Sequence, residues 1–162
     1  MKFQVKIIFA SILLFTSLNA SATERIGRLG LGFTNQLQTE IPSLSIKLQR
    51  SKSFAYSAFF GIDTDETGGW NAGLKLYRNI FNEPQLTFYT FGLLGLLNKK
   101  YSDDNDKSGF EIDLGLGTEF SFTGLESLGF SIDFGVSLYK LKEFNVETMG
   151  NHFLLGSVHF YL

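Results

Sequence analysis

The stretch Phe110-Glu-Ile-Asp-Leu-Gly-Leu-Gly-Thr-Glu-Phe120 alternates without a break. Phe110, Ile112, Leu114, Leu116 and Phe120 fall on one face, with Thr118 as its only polar member. Glu111, Asp113, Gly115, Gly117 and Glu119 fall on the other. A period of two is the signature of a β-strand with one apolar and one polar face. Which face meets water decides the fold. A soluble sandwich or barrel hides the apolar face in a core. A membrane barrel turns it to lipid and hides the polar face inside.

The same alternation recurs along the chain, and eight strands are expected. They are Arg25 to Thr34, Ser43 to Gln49, Phe54 to Ile62, Trp70 to Tyr77, Gln85 to Leu97, Phe110 to Phe120, Leu128 to Tyr139 and His152 to Leu162. The fifth is nearly as apolar on one face as on the other. Its register cannot be read, and a bulge there would be in keeping with that. The joints alternate in kind. Those at 50–53, 78–84 and 121–127 are the shorter set; those at 35–42, 63–69, 98–108 and 140–150 are, as a set, longer and more polar. With an even number of strands the long joints share one end and both termini share the other.

On the clearer strands the polar face is dominated by glycine and serine: Gly30, Gly32, Ser43, Ser45, Ser57, Gly61, Gly73, Gly115, Gly117, Gly129, Ser131, Gly135 and Ser137. A water-exposed sheet face favours Thr, Lys, Glu and Arg, because glycine weakens strands. The lumen of an eight-stranded barrel is just wide enough for side chains to fill it. Glycine there makes room for a larger neighbour. The polar face therefore reads as a crowded interior, and the Phe, Leu and Ile face as the one that meets lipid. The alternative, a soluble lipocalin-like barrel, would put the glycine face in water and crowd too many Phe and Leu into a small lumen. The expected fold is all-β: an eight-stranded antiparallel up-and-down transmembrane β-barrel. Trp70, Tyr77, Tyr101, Tyr139 and Tyr161 fall near strand ends, where aromatic girdles lie.

The first 22 residues contain Lys2 and Lys6, an apolar run from Ile7 to Leu18 and the small residues Ala20-Ser21-Ala22. This is the pattern of a secretory signal peptide. The run is short of the roughly 20 residues a membrane-spanning helix needs. The barrel domain is then residues 23–162. Of the 14 Lys and Arg, two leave with the leader, so 12 face 16 Asp and Glu and the net charge goes from −2 to −4. An acidic chain of this kind argues against nucleic acid as a partner. With no cysteine, disulfides, thiol chemistry and a lipoprotein anchor are excluded.

The last residues, "LLGSVHFYL", put Leu154, Gly156, Val158, Phe160 and Leu162 on one face. This resembles the C-terminal recognition strand of bacterial outer-membrane barrels, although the usual terminal Phe is replaced by Leu162. Taken with the hairpin "GLGTEFSF…LGFSIDFGVSL", the chain resembles the small outer-membrane barrel family of the OmpA, OmpX and OmpW type. The resemblance implies an outer-membrane location in a Gram-negative bacterium, with both termini periplasmic. It also implies contact with lipid and lipopolysaccharide, and recognition by the barrel assembly machinery through Val158, Phe160 and Leu162. It implies no activity.

Charged residues on the inward face are the chief candidates for a functional site. Arg28, Lys47 and Lys75 are expected at mid-strand, with Asp113 and Asp133 at similar depth and Glu111 and Glu119 nearer the ends. Unpaired charges in a dry interior are costly, so these should pair across the lumen and plug it. Pairing Gly115 with Asp133, and Asp113 with Gly135, would give each acid room to turn inward. Two loops carry half of a calcium pattern: Asp63, Asp65 and Thr67 before Gly68, and Asp104, Asp106 and Ser108 before Gly109. Position twelve holds Leu74 or Gly115 instead of Glu, so solvated turns are the plainer account. Ser157 and His159 share a face, but no acid completes a catalytic set. Lys99 and Lys100 could touch lipopolysaccharide phosphates. No cofactor is expected. The expected role is structural or surface-interactive, with a narrow channel for small or apolar solutes next and a lipid-modifying enzyme third.

Overall fold

A computed structural model describes residues 25–39, 41–100, 106–149 and 155–162. The alternating stretches form strands with few surprises at their centres. β1 is Leu29–Thr34, β2 Ser43–Gln49, β3 Phe54–Asp63, β4 Gly69–Glu83 and β5 Leu86–Lys99. β6 is Lys107–Phe120, β7 Leu128–Lys140, β8 Phe144–Thr148 and β9 Leu155–Tyr161. Each strand pairs antiparallel with its chain neighbour from β1 to β8, and β9 pairs with both β7 and β1. The sheet thus closes on itself. β8 and β9 lie along the same side of β7, opposite Val136–Lys140 and Leu128–Asp133 respectively. Together they make one interrupted stave, so the barrel has eight staves, as the alternation predicts.

Three departures from the expected strands have local causes. The joint at 140–150 is mostly strand: β8 continues the sheet beyond a tight turn at Leu141–Glu143. Its Phe144, Asn145, Val146, Glu147 and Thr148 are exposed on both faces, which removes the hydrophobic contrast that marks a strand in sequence. The joint at 78–84 is also strand: β4 runs to Glu83 and turns at Pro84-Gln85. The irregularity lies there, at Asn79–Phe81 of β4, and not in β5. Ile80 is the extra residue, and the slip explains why the alternation of β4 seemed to stop at Tyr77. The register of β6 on β7 is Gly117 opposite Asp133, Gly115 opposite Gly135 and Asp113 opposite Ser137. It is shifted from the expected pairing by one dyad, yet Asp133 still faces a glycine. A Cβ at Gly117 would collide with the Asp133 carboxylate and the Tyr89 ring.

Burial settles the two faces. Phe33, Leu44, Ile62, Leu74, Leu94 and Leu114 are each 60–65% exposed on the outside of the barrel. Ser45, Lys47, Ser57, Lys75, Asp113, Glu119, Ser131 and Asp133 are buried inside it. β5 is apolar on both sides because it sends Tyr89, Phe91, Leu93 and Leu97 inward and Leu94 and Leu96 outward. The aromatic girdle is thinner than expected. Tyr77 and Tyr161 are buried in the interior, two residues along the same face from Lys75 and His159, and Tyr101 lies outside the described residues.

Candidate functional site

The interior is organised as two ionic clusters, one above the other, under an inward-folded loop. The first surrounds Glu119 of β6, near the end where the chain termini lie. Lys47 of β2 donates from Nζ to Glu119 Oε2 at 2.6 Å. Arg25 makes a second ion pair with Oε1. Tyr161 Oη donates to Oε1 at 2.9 Å, and Ser131 Oγ to Oε2 at 3.0 Å. The Arg25 guanidinium also lies 4.4 Å from the Tyr161 ring centroid, and the Lys47 ammonium 4.3 Å from that of Tyr77. One carboxylate thus serves two bases, and each base has an aromatic face beside it.

The second cluster centres on Asp133 of β7. Lys75 Nζ of β4 donates to Oδ2 at 2.7 Å, and both side chains are wholly buried. Tyr89 Oη donates to Oδ1 at 2.8 Å. Gln36 Nε2 donates to Oδ2 at 2.5 Å. Lys75 also sits 3.9 Å from the Phe91 ring centroid. A buried ion pair is tolerated only when its remaining donors and acceptors are satisfied, and here tyrosine and glutamine supply that.

Gln36 belongs to the joint at 35–42, which the sequence presents as an external loop. Its Gln36, Leu37, Thr39 and Ile41 side chains are instead buried in the barrel. Leu37 packs with Phe59, Leu93, Leu97 and Met149, and Thr39 accepts from Asn71 Nδ2 at 2.9 Å. The Gln38 amide donates to Glu111 Oε2 at 3.0 Å, and the Ile41 carbonyl accepts from Asn71 and from Ser43. Gly95 of β5 leaves the space that Leu37 occupies, since a Cβ there would come 2.7 Å from Leu37 Cδ2. The signal was legible in principle: Leu37 and Ile41 are apolar residues in a segment otherwise polar.

Of the expected ion network, Lys47, Lys75, Asp133 and Glu119 are brought together as pairs. Arg28 is not among them. It lies at the rim, donating to the Leu162 and Tyr161 carbonyls and to Ser127 Oγ. β1 begins only at Leu29, so Arg28 precedes the barrel wall, and Arg25 reaches Glu119 in its place. Glu111 and Asp113 are buried but contact no base among the described ion pairs. His159 bonds Ser45 at 3.0 Å from Nε2, and not Ser157.

The two acidic loops behave as turns. Asp63 Oδ1 accepts from the Asp65 amide at 3.0 Å, closing a tight local turn. Asp65 and Thr67 are exposed. Asp104 lies outside the described residues, while Ser108 is in β6 and accepts from Asn98 Nδ2 at 3.1 Å. Among the described residues no cluster of three His, Cys, Asp or Glu is placed to hold a metal ion. Lys99 stands opposite Lys107 at the long-loop rim. Gly156, Val158, Phe160 and Leu162 line the outside of the last stave, and Leu154 lies outside the described residues.

At the terminus end a cavity of about 540 Å³ lies between the β4–β5 hairpin and the barrel mouth. Gln49, Lys52, Asn79, Asn82 and Thr87 line it, and its inner end is formed by Arg25, Lys47 and Glu119. Side chains of Asn79 and Asn82 donate to the Lys52 carbonyl and hold the hairpin over the mouth.

The fold matches a solved barrel. The crystal structure of the N-terminal β-barrel domain of Pseudomonas aeruginosa OprF superposes with a TM-score of 0.63 at 16% identity, over 86% of this chain and all of that one. The likeness is one of architecture: a closed eight-stranded antiparallel barrel. No family model matches the sequence, and no curated protein matches it.

Proposed function

We propose that the chain is an integral outer-membrane barrel with a closed lumen, whose role is structural or surface-interactive. One observation carries this reading: the outside is a continuous belt of exposed Phe, Leu, Ile and Val, while lysines and carboxylates are buried inside. That inversion is stable where the outer medium is hydrocarbon and every backbone group is paired within a closed sheet. The likeness to the OprF barrel supports the same fold-level reading. The termini lie in the periplasm and the loop at 64–68 faces the cell exterior. The outward belt contacts lipid, the rim lysines Lys99 and Lys100 contact lipopolysaccharide, and the last stave is read by the assembly machinery. Neither catalysis nor a cofactor enters this role. An epitope inserted at Glu66 should be labelled on intact cells. Labelling only after the outer membrane is permeabilised would invert the orientation or place the protein elsewhere.

The lumen is closed by the ionic clusters and by the inward loop at 35–42. A narrow channel is the competing reading, favoured by the 540 Å³ cavity that leads from the terminus end to Lys47. Planar-bilayer recordings separate them. Little or no steady conductance is expected, and an ohmic pore in the unmodified protein would replace the closed lumen with the channel.

A further inference from the structure

Glu111 and Asp113 are adjacent inward positions of β6, and the clusters described above leave them out. Asp113 is wholly buried, and neither of its carboxylate oxygens receives a hydrogen bond. Glu111 is 1% exposed and accepts from the Gln38 amide and from Ser137 Oγ, both neutral donors. The bases inside the barrel are committed elsewhere: Arg25 and Lys47 to Glu119, and Lys75 to Asp133. Around the pair, β5 presents Leu93 and Leu97, β7 presents Ser137 and Tyr139, and the inward loop presents Leu37 and Gln38. Lys75 and Asp133 face it across the lumen, and Lys99 and Lys107 stand further up at the rim. Two full negative charges on one buried face, with neither ion-paired to a base among the described residues, would cost far more than the two neutral hydrogen bonds return.

We infer that Glu111 and Asp113 share one proton in the folded barrel. A carboxyl O–H of one residue donates to the carboxylate of the other. The pair then carries a single negative charge, and Asp113 gains the hydrogen bond it otherwise lacks. The site is a proton-binding site built into the wall beside the inward loop, and it does not depend on whether the lumen conducts.

The inference has a sign. At neutral pH an unfolded chain ionises both carboxyls, so the folded barrel holds one proton more than the unfolded chain. Stability then falls as pH rises, and the unfolding constant grows by up to tenfold per pH unit for one proton. The window from pH 7 to 9 is informative, because ordinary carboxyls and histidines have already lost their protons there. The experiment is equilibrium unfolding of the mature barrel in lipid vesicles across that window, at fixed salt. The wild type should show the slope. Asp113→Asn should flatten it, since an amide donates without a titrating proton, and should fold at least as well at pH 7. Glu111→Gln should flatten it too, which keeps the test available if one variant fails to insert. Infrared spectra of the folded wild type should show a protonated carboxyl C=O band at pH 7 that Asp113→Asn removes. A wild-type unfolding constant independent of pH, or a slope that survives both variants, overturns the inference. So does stabilisation by added sodium or potassium at constant pH, which would put a metal cation where the proton is assigned.

Discussion

Replacing Asp133 by Leu should destabilise the barrel strongly, and its cost can be worked from its contacts. The carboxylate accepts from Lys75, Tyr89 and Gln36, which belong to β4, β5 and the inward loop. Leucine is bulkier than aspartate, so no cavity opens, and the loss is chiefly polar. The Lys75 ammonium would be left fully buried with only the Phe91 and Tyr77 rings beside it. Breaking a buried pair in this way costs about 3–5 kcal/mol. The Phe91 and Tyr77 ring contacts are already made in the wild type and offset none of this, and the stranded Tyr89 and Gln36 donors are part of that cost. A net loss of about 3–5 kcal/mol is therefore expected. Equilibrium denaturation in vesicles reads it, with Trp70 fluorescence as the probe, since Trp70 is the chain's sole tryptophan and lies on the outer face. Lys75→Met on top of Asp133→Leu removes the stranded charge and should recover at least about 2 kcal/mol. A single-variant loss below about 1 kcal/mol, or additive losses in the double variant, would show that Lys75 and Asp133 are not coupled as the geometry has them.

Other perturbations test other parts of the molecule. Leu74→Arg or Ile132→Arg places a charge on the outer belt and should destabilise the bilayer-inserted barrel by about 2–4 kcal/mol near mid-depth; if both are harmless in vesicles, the outer face is not in hydrocarbon. Gly117→Val should impair folding, because its side chain would enter the space of Asp133 and Tyr89, and heat-modifiable gel mobility would report the unfolded fraction. Gly95→Leu should displace Leu37 from the interior; protease access to residues 36–41 in the folded barrel should then rise, and unchanged protection would mean the loop is held by its polar contacts alone.

The fold was legible because its face alternation is a purely local signal. Phe110 to Phe120 alone shows which side chains share a face, and the glycine and serine content of the other face shows which is crowded. What was not legible depends on contacts distant in sequence. Arg28 and Arg25 are both cations near the first strand, and only the start of the wall at Leu29 decides which one reaches Glu119. In sequence Tyr77 reads as a girdle residue because the extra residue at Ile80 hides the continuation of β4. β8 was missed because a strand exposed on both faces has no hydrophobic contrast. The pairing of β6 with β7 slipped by a dyad because a shift of two residues preserves every face, so hydrophobic pattern cannot select between the registers.

The low side of the barrel explains why a loop lies inside it. β1 ends at Thr34 and β2 starts at Ser43, whereas β3 continues to Asp63 and β7 to Lys140. The last ladder contact of β2 with β3 is Leu44 opposite Phe60, so beyond it Gly61–Asp63 pair with β4 alone. β8, on the other flank, pairs with β7, and its pairing to β1 is replaced lower down by β9. The wall is therefore shorter where β1 and β2 meet than on the opposite side. Leaving the inner polar groups at that gap buried without partners would be costly. The loop at 35–42 answers this with its own amides and side chains: Gln36 to Asp133, Gln38 to Glu111, Thr39 and Ile41 to Asn71. Leu37 and Ile41 are buried among these contacts, so the segment brings apolar packing as well as hydrogen bonds. The loop is thus part of the barrel's interior wall and not an external appendage. Extending β1 and β2 upward by a designed two-residue turn in place of residues 35–42 would complete the wall but leave Asp133, Glu111 and Asn71 without these partners. Such a variant should insert, yet unfold at lower denaturant than the wild type. Equal or greater stability would show that the short wall, and not the loop's contacts, is what the native sequence tolerates at a cost.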